Sequence, residues 1–406
     1  MDRKRVLLIP KYGFPIPAVH GGAVETRITD LLKNNETKRR VYFTVISKYD
    51  EDAAKEAGNL RESEVLFLEN YISEKESLRN SRIANWINTL GYKVFNKRLI
   101  DTPYSPAILK MLGDREFDEV VIMGGDPFIY DRIKRHYGKE KMSFNVAGVS
   151  DGNKYLEKTY QHFLCCSDYT KRMMQANGVI EKSRVLELRN CIDTQLFSQK
   201  LPEEQARALR AKYAPNNEKL ILFVGRTSPE KGARELLEAF SLMKNQKECK
   251  ILIVGNSNYG YGGRTPYESE LEAYVNNQQL SVEFPGFIHH NELWMLMSVC
   301  DFAVLPSMWE EPAGNVVPEC MAAGLPVIIT DSGGMVEYVD ETCAIVVKRD
   351  DNLINNMACA MDSLAMNSDK CVKMGAAARE KAREFDASSY YDKFCDYVEE
   401  WLNEKD

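Results

Sequence analysis

The chain has 406 residues, a length typical of two or three domains. It contains 44% hydrophobic and 28% charged residues, as an ordinary globular protein does, and its formal net charge is -7. The acidic balance argues against general nucleic-acid binding, which needs a basic surface. The N-terminal segment MDRKRVLLIP lacks the long apolar core of a secretory signal, and no apolar run approaches the roughly 20 residues of a spanning helix, so we expect a cytoplasmic protein that is at most peripheral at the inner face of the membrane.

The first half of the chain alternates between short apolar runs and helical patterns. A helix is predicted to start after Gly22, because the apolar residues that follow recur on one face. Strand–helix alternation predicts βαβ units and a mostly parallel sheet. The predicted strands are Val6–Ile9, Val41–Ile46, Glu64–Leu68, Glu119–Met123, Phe144–Val149 and Phe163–Cys166.

A polar stretch of helix-like composition, Leu201–Lys219, precedes a second alternating series. We therefore predict an α/β fold with two doubly wound Rossmann-like domains facing across a cleft, over residues 1–195 and 196–385. An amphipathic helix within residues 386–406 is expected to pack back on the first domain. Ligands of such sheets bind at the carboxyl ends of strands, here in the cleft. The strands of the second series are predicted at Leu220–Val224, Lys250–Val254, Val282–Phe284, Phe302–Leu305, Pro326–Ile329 and Ala344–Val347.

Two glutamates frame the most informative segment, SMWEEPAGNVVPECMAAGLPV. Glu311 and Glu319 stand eight positions apart around Gly314, where a loop is predicted to become a helix. The N–H groups and positive dipole end of a helix N-terminus suit a phosphate, and carboxylates, which accept hydrogen bonds, suit hydroxyls. Together they predict a sugar-nucleotide site. The alternative, a Gly/Pro loop before a well-packed helix, explains the small residues but not the two glutamates.

A second loop, VGRTSPEKG, carries two cations at the end of a predicted strand. Arg226 and Lys231 follow Gly225. Arginine offers a planar fork and lysine a point charge, and together they suit a pyrophosphate. The alternative is a solvated loop with a helix-starting proline. The glycine turn of TDSGG is a further anion-friendly turn, which is weak evidence by itself.

Several other patterns do not predict a site of their own. The double glycine of HGGAVE lets the backbone approach a ligand, but without a GxGxxG fingerprint or a Walker lysine it predicts neither an NAD nor an ATP site. The ten cysteines form no CxxC pair and are expected to be structural thiols. Because His289 and His290 have no partner cluster, no metal site is predicted.

The order and spacing of these motifs resemble the retaining glycosyltransferases of family 4, which have the GT-B architecture. The resemblance spans nearly the whole chain and is closest in character to bacterial cell-surface polysaccharide and lipopolysaccharide transferases. It is carried by GGAVE, CSDYTKRMM, RNCIDTQLF, VGRTSPEKG, FPGFIHHNELW and the glutamate segment through TDSGGMVEYV.

The resemblance implies a metal-independent enzyme that needs no cofactor and takes a UDP- or GDP-sugar as co-substrate. The acceptor would be a hydroxyl of a glycan, a lipid-linked glycan or a small molecule. Arg226 and Lys231 would hold the donor diphosphate, Glu311 would bind hydroxyls of the transferred sugar, and Glu319 would bind the ribose hydroxyls. Backbone groups are implied as well: Gly225 beside the diphosphate, Gly314, Asn315 and Val316 at the distal phosphate, Phe287 and Ile288 at the base, and Gly21 and Gly22 facing donor and acceptor.

The first domain departs from this family pattern. Many relatives carry a histidine at the end of a strand near the transferred sugar, where this chain has VSDG. Ser150 or Asp151 occupies that region, and Asp126 is a further candidate at another strand end. Which of the three contacts the sugar stays open at this point.

Two further alternatives concern partners and activity. Residues 79–100 contain five basic residues and no acidic one, with aromatic residues between them, so this segment is either a contact with an anionic membrane, near a lipid-linked acceptor, or an ordinary amphipathic helix. A non-catalytic GT-B binding protein and a sugar-nucleotide epimerase are the alternatives to a transferase.

Overall fold

The computed structural model describes residues 3–11, 13–68, 104–256 and 264–403. The chain divides into two compact units: the first combines Met1–Asn190 with Ala387–Asp406, and the second is Cys191–Asp386. The basic segment 79–100 lies outside the described residues. No helix in the described part of the chain combines the length and apolar character that crossing a bilayer requires.

The first unit is built on a parallel sheet of seven described strands. Their order is β3-β2-β1-β4-β5-β6-β7, so the direction of strand succession reverses beside β1. Leu8 of β1 pairs with Val45 on one side and Val121 on the other, and all carboxyl ends lie at one edge. The strands are β1 (Lys4–Pro10), β2 (Val41–Lys48), β3 (Ser63–Leu68), β4 (Glu119–Met123), β5 (Met142–Val146), β6 (His162–Cys165) and β7 (Val185–Glu187).

Helices connect these strands and cover the sheet. The helix predicted after the double glycine is confirmed, and its residues Ile28 and Leu31 are fully buried. Burial of such an apolar face provides most of the stability of a helix in a globular protein. The helices are α1 (Ala23–Lys38), α2 (Glu51–Ala57), α3 (Tyr104–Leu112), α4 (Asp131–Tyr137), α5 (Lys154–Thr159) and α6 (Asp168–Gln175).

The second unit has a parallel sheet of six described strands in the order β10-β9-β8-β11-β12-β13. Its first strand, β8, lies between β9 and β11, so strand succession reverses here too. The strands are β8 (Lys219–Val224), β9 (Cys249–Val254), β10 (Val282–Gly286), β11 (Phe302–Leu305), β12 (Val327–Thr330) and β13 (Ala344–Val347).

The helices of the second unit lie on both faces of this sheet. One core layer joins Phe240, Met357 and Met361 to the apolar side chains of β8 and β9. The helices are α7 (Thr194–Phe197), α8 (Glu203–Tyr213), α9 (Ala233–Ser241), α10 (Pro266–Gln278), α11 (Leu293–Met297), α12 (Val316–Ala323), α13 (Leu353–Ala365) and α14 (Ser368–Ala382).

The C-terminal helix α15 (Ala387–Asn403) belongs to the first unit, where it packs against α1. The Tyr391 hydroxyl donates to the side-chain oxygen of Asn35 at 2.7 Å, and the Phe394 ring lies 6.0 Å from that of Phe43. At the rim, the Arg40 guanidinium donates to Glu399. The last helix of the chain thus covers the face of the first sheet that carries α1.

The structure departs from the sequence prediction after β5. The predicted strand extended to Val149, but β5 ends at Val146. Its neighbour β4 ends at Met123 and is followed by Gly124 and Gly125, both with positive φ. Without a neighbouring ladder the chain cannot continue as a strand, so the VSDG segment lies in a loop.

Candidate active site

The strand order of the second unit brings three predicted loops to one edge of its sheet. β8 and β11 are neighbours, and β12 lies beside β11, all parallel. The loops that follow these strands are VGRTSPEKG, the glutamate segment and TDSGG. Because parallel strands end at the same edge, these loops are adjacent although they are distant in sequence.

The loop after β8 holds both predicted cations. It contains a short 3-10 helix, Pro229–Lys231, of which Lys231 is the last residue. Gly232 has a φ of 75°, and a Cβ there would collide with the carbonyl oxygen of Pro306. Glycine is therefore needed for this loop to lie against the loop after β11. Nη2 of Arg226 lies 2.9 Å from Oε1 of Glu230.

Lys231 joins this loop to the glutamate segment. Its ammonium contacts Oε1 of Glu311 and lies 5.6 Å from the centroid of the Trp309 ring. The Ser307 hydroxyl donates to the same carboxylate oxygen at 2.8 Å. Glu311 is only 6% exposed, and a buried carboxylate is costly unless charges and hydrogen bonds compensate for lost water. Lys231 and Ser307 provide that compensation.

The glycine turn after β12 supports the Glu311 loop. The N–H of Gly333 donates to Oε2 of Glu310 at 2.7 Å, and the N–H of Gly334 donates to the carbonyl oxygen of Glu311 at 2.7 Å. Gly333 has a φ of 45°, and a Cβ there would collide with that same carbonyl group. The amide of Gly333 in TDSGG thus donates to the carboxylate of Glu310, and the amide of Gly334 donates to a backbone carbonyl oxygen.

Arg349, which follows the end of β13, binds to residues of both the Glu311 loop and the glycine turn. Its Nη2 lies 2.5 Å from Oε1 of Glu310 and 3.0 Å from the carbonyl oxygen of Asp331. Nε of Arg349 also lies 3.2 Å from the Asp331 carboxylate. A planar guanidinium suits several acceptors at once, so Arg349 joins the loops after β11, β12 and β13.

The helix α12 begins at Val316, close to Gly314, where the sequence predicts that a loop becomes a helix. Asn315 is the N-cap residue, and Gly314 before it has a φ of 87°. The first bonds at this end run from the Val317 N–H to Gly314 (3.0 Å) and from the Glu319 N–H to Asn315 (3.2 Å). Val316 is the first helical residue, and its N–H therefore has no carbonyl acceptor within the helix.

Glu319 lies in the first turn of α12 and has a partner of its own. It is 6% exposed, and its Oε1 lies 2.8 Å from Nε2 of His290. His290 packs edge-on against Phe197, with ring centroids 5.3 Å apart. The two predicted glutamates are therefore both buried, but each contacts a different basic residue.

The predicted base-binding backbone follows β10. Gly286 accepts a hydrogen bond from the Gly255 N–H at 2.9 Å, which ties the ends of β9 and β10 together. Phe287 is half-exposed, and its ring lies 5.3 Å from that of His289. Phe287 and Ile288 thus stand on the same sheet edge as the cation loop, on the side of β9 and β10.

In the first unit, the double glycine stands at the start of α1. Gly21 and Gly22 have φ values of 79° and 105°. Just inside the helix, Glu25 is 6% exposed, and its carboxylate is so close to Gly22 that a Cβ there would collide with it. Burial raises the pKa of Glu25, while its own backbone N–H, Arg27 and Lys11 oppose the shift.

The three candidates for the contact with the transferred sugar lie in loops at the carboxyl edge of the first sheet. Asp126 accepts a hydrogen bond from the Phe128 N–H at 3.0 Å and caps a short 3-10 helix. Ser150 and Asp151 lie in the loop between β5 and α5, and Asp151 is exposed. The contacts give Asp126 a capping role and do not select among the three.

The second unit matches a known family over most of its length. Residues 205–381 match the family described as Glycosyl transferases group 1. The crystal structure of Anabaena Alr3699/HepE in complex with UDP and glucose aligns with a TM-score of 0.73 and 16% identity, covering 97% of this chain and 99% of that chain. The fold is GT-B, as the family resemblance implies, and the family match supports a glycosyltransferase.

Two curated proteins are similar to this chain in sequence. Spore coat protein SA of Bacillus subtilis is 23% identical over 383 residues, which is 93% of this chain and 94% of that protein. The uncharacterized glycosyltransferase MJ1607 of Methanocaldococcus jannaschii is 34% identical over 137 residues, which is 34% of this chain and 33% of that protein.

Three residues that support the predicted glutamates were not among the sequence candidates. Ser307 and His290 bind the carboxylates of Glu311 and Glu319, and the Ser332 hydroxyl accepts the N–H of Glu311 at 3.1 Å. Each follows a strand end by a few positions, which is a usable signal in a parallel sheet. Their partners, however, depend on strand order.

Proposed function

We propose that this protein is a retaining glycosyltransferase of family 4 that moves a sugar from a UDP- or GDP-sugar to a hydroxyl of a glycan, a lipid-linked glycan or a small acceptor. The observation that carries the proposal is the Lys231–Glu311 pair at the carboxyl edge of the second sheet. It sets a cation beside a buried hydrogen-bond acceptor. A sugar phosphate presents the complementary groups, an anionic oxygen and hydroxyls.

The donor would be held by several loops of the second unit. Arg226 and Lys231 bind the diphosphate and stabilise the charge that develops as it leaves, the effect that often dominates catalysis. Glu311 accepts hydrogen bonds from the transferred sugar, and Glu319 accepts them from the ribose. The UDP bound to the Anabaena structure supports a uridine nucleotide as the first donor to test.

The proposed reaction is a displacement on one face of the sugar. The bond between the anomeric carbon and the phosphate oxygen breaks while the acceptor oxygen bonds to that carbon. The acceptor proton passes to the departing diphosphate oxygen, and configuration is retained. Both glutamates already have fixed partners, Lys231 and Ser307 for one and His290 for the other. That arrangement supports hydroxyl-binding roles rather than the acid and nucleophile pair of glycosidases.

We also propose metal independence, because two cations on one loop can neutralise a diphosphate. A cytoplasmic protein with a lipid-linked acceptor fits the proposed class, and residues 79–100 are then the candidate contact with an anionic membrane. Flotation with vesicles that contain or lack anionic lipid tests that contact, and binding without lipid dependence would remove it.

Product analysis tests the central proposal. The protein is first screened with UDP, GDP and their sugars by thermal shift, where a ligand at about 100 times its Kd adds roughly 2.7 kcal/mol of stability. The stabilising sugar nucleotide is then incubated with candidate acceptors, with and without EDTA. A glycoside of retained configuration plus nucleoside diphosphate is expected. Free epimerised sugar would instead identify an epimerase, and binding without turnover a non-catalytic protein.

A further inference from the structure

Glu319 is held by a histidine that the proposed donor site does not yet use. Nε2 of His290 lies 2.8 Å from Oε1 of Glu319, whose side chain is 8% exposed while that of His290 is 41% exposed. A carboxylate oxygen accepts, so the Nε2 proton points at Glu319. The imidazole therefore spans the distance between a buried carboxylate and the surface.

The imidazole is itself held in place. Its ring packs at 69° against Phe197, at a centroid distance of 5.3 Å, and Phe197 is fully buried in α7. His290 opens the 3-10 helix His290–Glu292, directly after the loop that follows β10. Phe197 on one side and Glu319 on the other thus restrict the orientation of the ring.

We propose that His290 is a positioning residue, which orients Glu319 for the vicinal diol that the proposed function assigns to this glutamate, the ribose of a nucleoside diphosphate. Hydrogen bonding to Oε1 holds the plane of the carboxylate, so that its remaining lone pairs are presented to two neighbouring hydroxyls. A glutamate side chain that is already ordered loses less freedom when the diol binds. This inference rests on the proposed donor site, and it assigns ribose selectivity to His290.

If His290 acts through Glu319, replacing His290 should weaken only the contact with the ribose hydroxyls. Hydrogen bonds to charged groups are among the stronger ones, so His290→Ala is expected to weaken the binding of UDP or GDP about tenfold. Nucleotides that lack the 2′- or 3′-hydroxyl are expected to bind the native protein more weakly. His290→Ala is expected to change their affinity less than about twofold, because the contact that it serves is missing.

The experiment is a binding cycle by calorimetry on the full chain. The probes are UDP and GDP, each with its 2′-deoxy and 3′-deoxy analogue. The variants are His290→Ala, His290→Gln, Glu319→Gln and the double variant His290→Ala/Glu319→Gln. His136→Ala, which removes an imidazole from α4 in the first unit, is the matched control. Thermal melting without ligand shows whether each variant is folded.

The expected result has three parts. His290→Ala loses affinity for the ribonucleotide only, His290→Gln recovers most of it through its amide N–H, and the Glu319→Gln background removes the effect of His290→Ala. An equal loss for ribo- and deoxyribonucleotides, or an unchanged effect in the Glu319→Gln background, would overturn the inference and leave the proposed function standing. Failure of the native protein to bind either nucleotide would overturn both.

Discussion

The ammonium of Lys231 and the carboxylate of Glu311, 80 residues apart in the chain, meet at neighbouring strand ends of the second sheet. The contact exists because β8 and β11 are adjacent and parallel. Ser307 donates to the same carboxylate oxygen. The pair is thus both a structural link between two loops and the centre of the proposed donor site, and mutations can separate these two roles.

Lys231→Met should lower both stability and turnover. Without its cation, Glu311 stays buried with one partner less, and we expect the free energy of unfolding to fall by about 1–3 kcal/mol. Turnover should fall by orders of magnitude, because the cation also stabilises the leaving diphosphate. Urea denaturation and release of nucleoside diphosphate measure the two effects.

The double variant Lys231→Met/Glu311→Gln distinguishes the roles. Replacing the carboxylate by a neutral amide removes the uncompensated charge, so stability should recover while turnover does not. Recovery of turnover together with stability would show that the pair serves only the fold.

Arg226→Gln should lower turnover without lowering stability. Arg226 forms an i,i+4 pair with Glu230, and its side chain is 36% exposed; exposed pairs of this kind contribute about 0.3–0.5 kcal/mol. Arg226 is proposed to stabilise the negative charge of the leaving diphosphate, so kcat should fall at least about tenfold.

Arg207→Gln is the matched control for this change. Arg207 also forms an exposed i,i+4 pair with a glutamate, Glu203, within α8. It should leave both the melting temperature and turnover unchanged. Equal kinetics of the two variants would contradict the diphosphate-binding role of Arg226.

Gly333→Ala should destabilise the second unit. The residue has a φ of 45° and lies against the backbone of Glu311. A Cβ must therefore move the loop, at a cost of about 1–3 kcal/mol. Donor binding should weaken as well, because that loop carries Glu311. Thermal melting and calorimetry measure both effects.

Gly58→Ala provides the comparison for Gly333→Ala. Gly58 has a φ of -62°, and a Cβ there would make ordinary contacts at 3.4 and 3.5 Å with the backbone at the end of α2. It should leave stability unchanged or raise it slightly. A similar loss at both positions would refute the steric explanation.

Acid should destabilise the second unit partly through Asp340. The Thr342 hydroxyl and the Lys381 ammonium lower the pKa of Asp340 to about 2. A lowered pKa in the folded state means that the stabilisation is present above the unfolded pKa of about 3.9 and is lost as pH falls towards 2. Asp340→Asn should therefore flatten the fall in unfolding free energy between about pH 4 and pH 2.

Asp351→Asn, at an exposed carboxylate ahead of α13, serves as the control for this titration. This variant shows what the exchange of a carboxylate for an amide does where the contacts of Asp340 with Thr342 and Lys381 are not involved. If Asp340→Asn gives the same curve as this control, Asp340 does not contribute to the acid dependence. Circular dichroism during urea titrations at several pH values provides the measurement.

Several strands were predictable because their residues are buried on both faces, as in Glu119–Met123 and Phe302–Leu305. The observed bounds Glu119–Met123, Phe302–Leu305 and Ala344–Val347 coincide with the predicted ones. Continuous apolar runs are typical of buried parallel strands. The strand extended to Val149 was wrong, because strand length also depends on where the neighbouring strands end.

For the candidate site, the sequence alone determined the residue types and their positions at strand ends: two cations in one loop, two glutamates in another, and the α/β alternation that places both at one sheet edge. Only the tertiary structure decided the pairings. It joined Lys231 to Glu311 and His290 to Glu319, and it directed the amides of Gly333 and Gly334 to protein acceptors. The physical reason is that apolar periodicity is local, whereas a hydrogen bond between loops depends on which strands are neighbours, and no local pattern encodes that order.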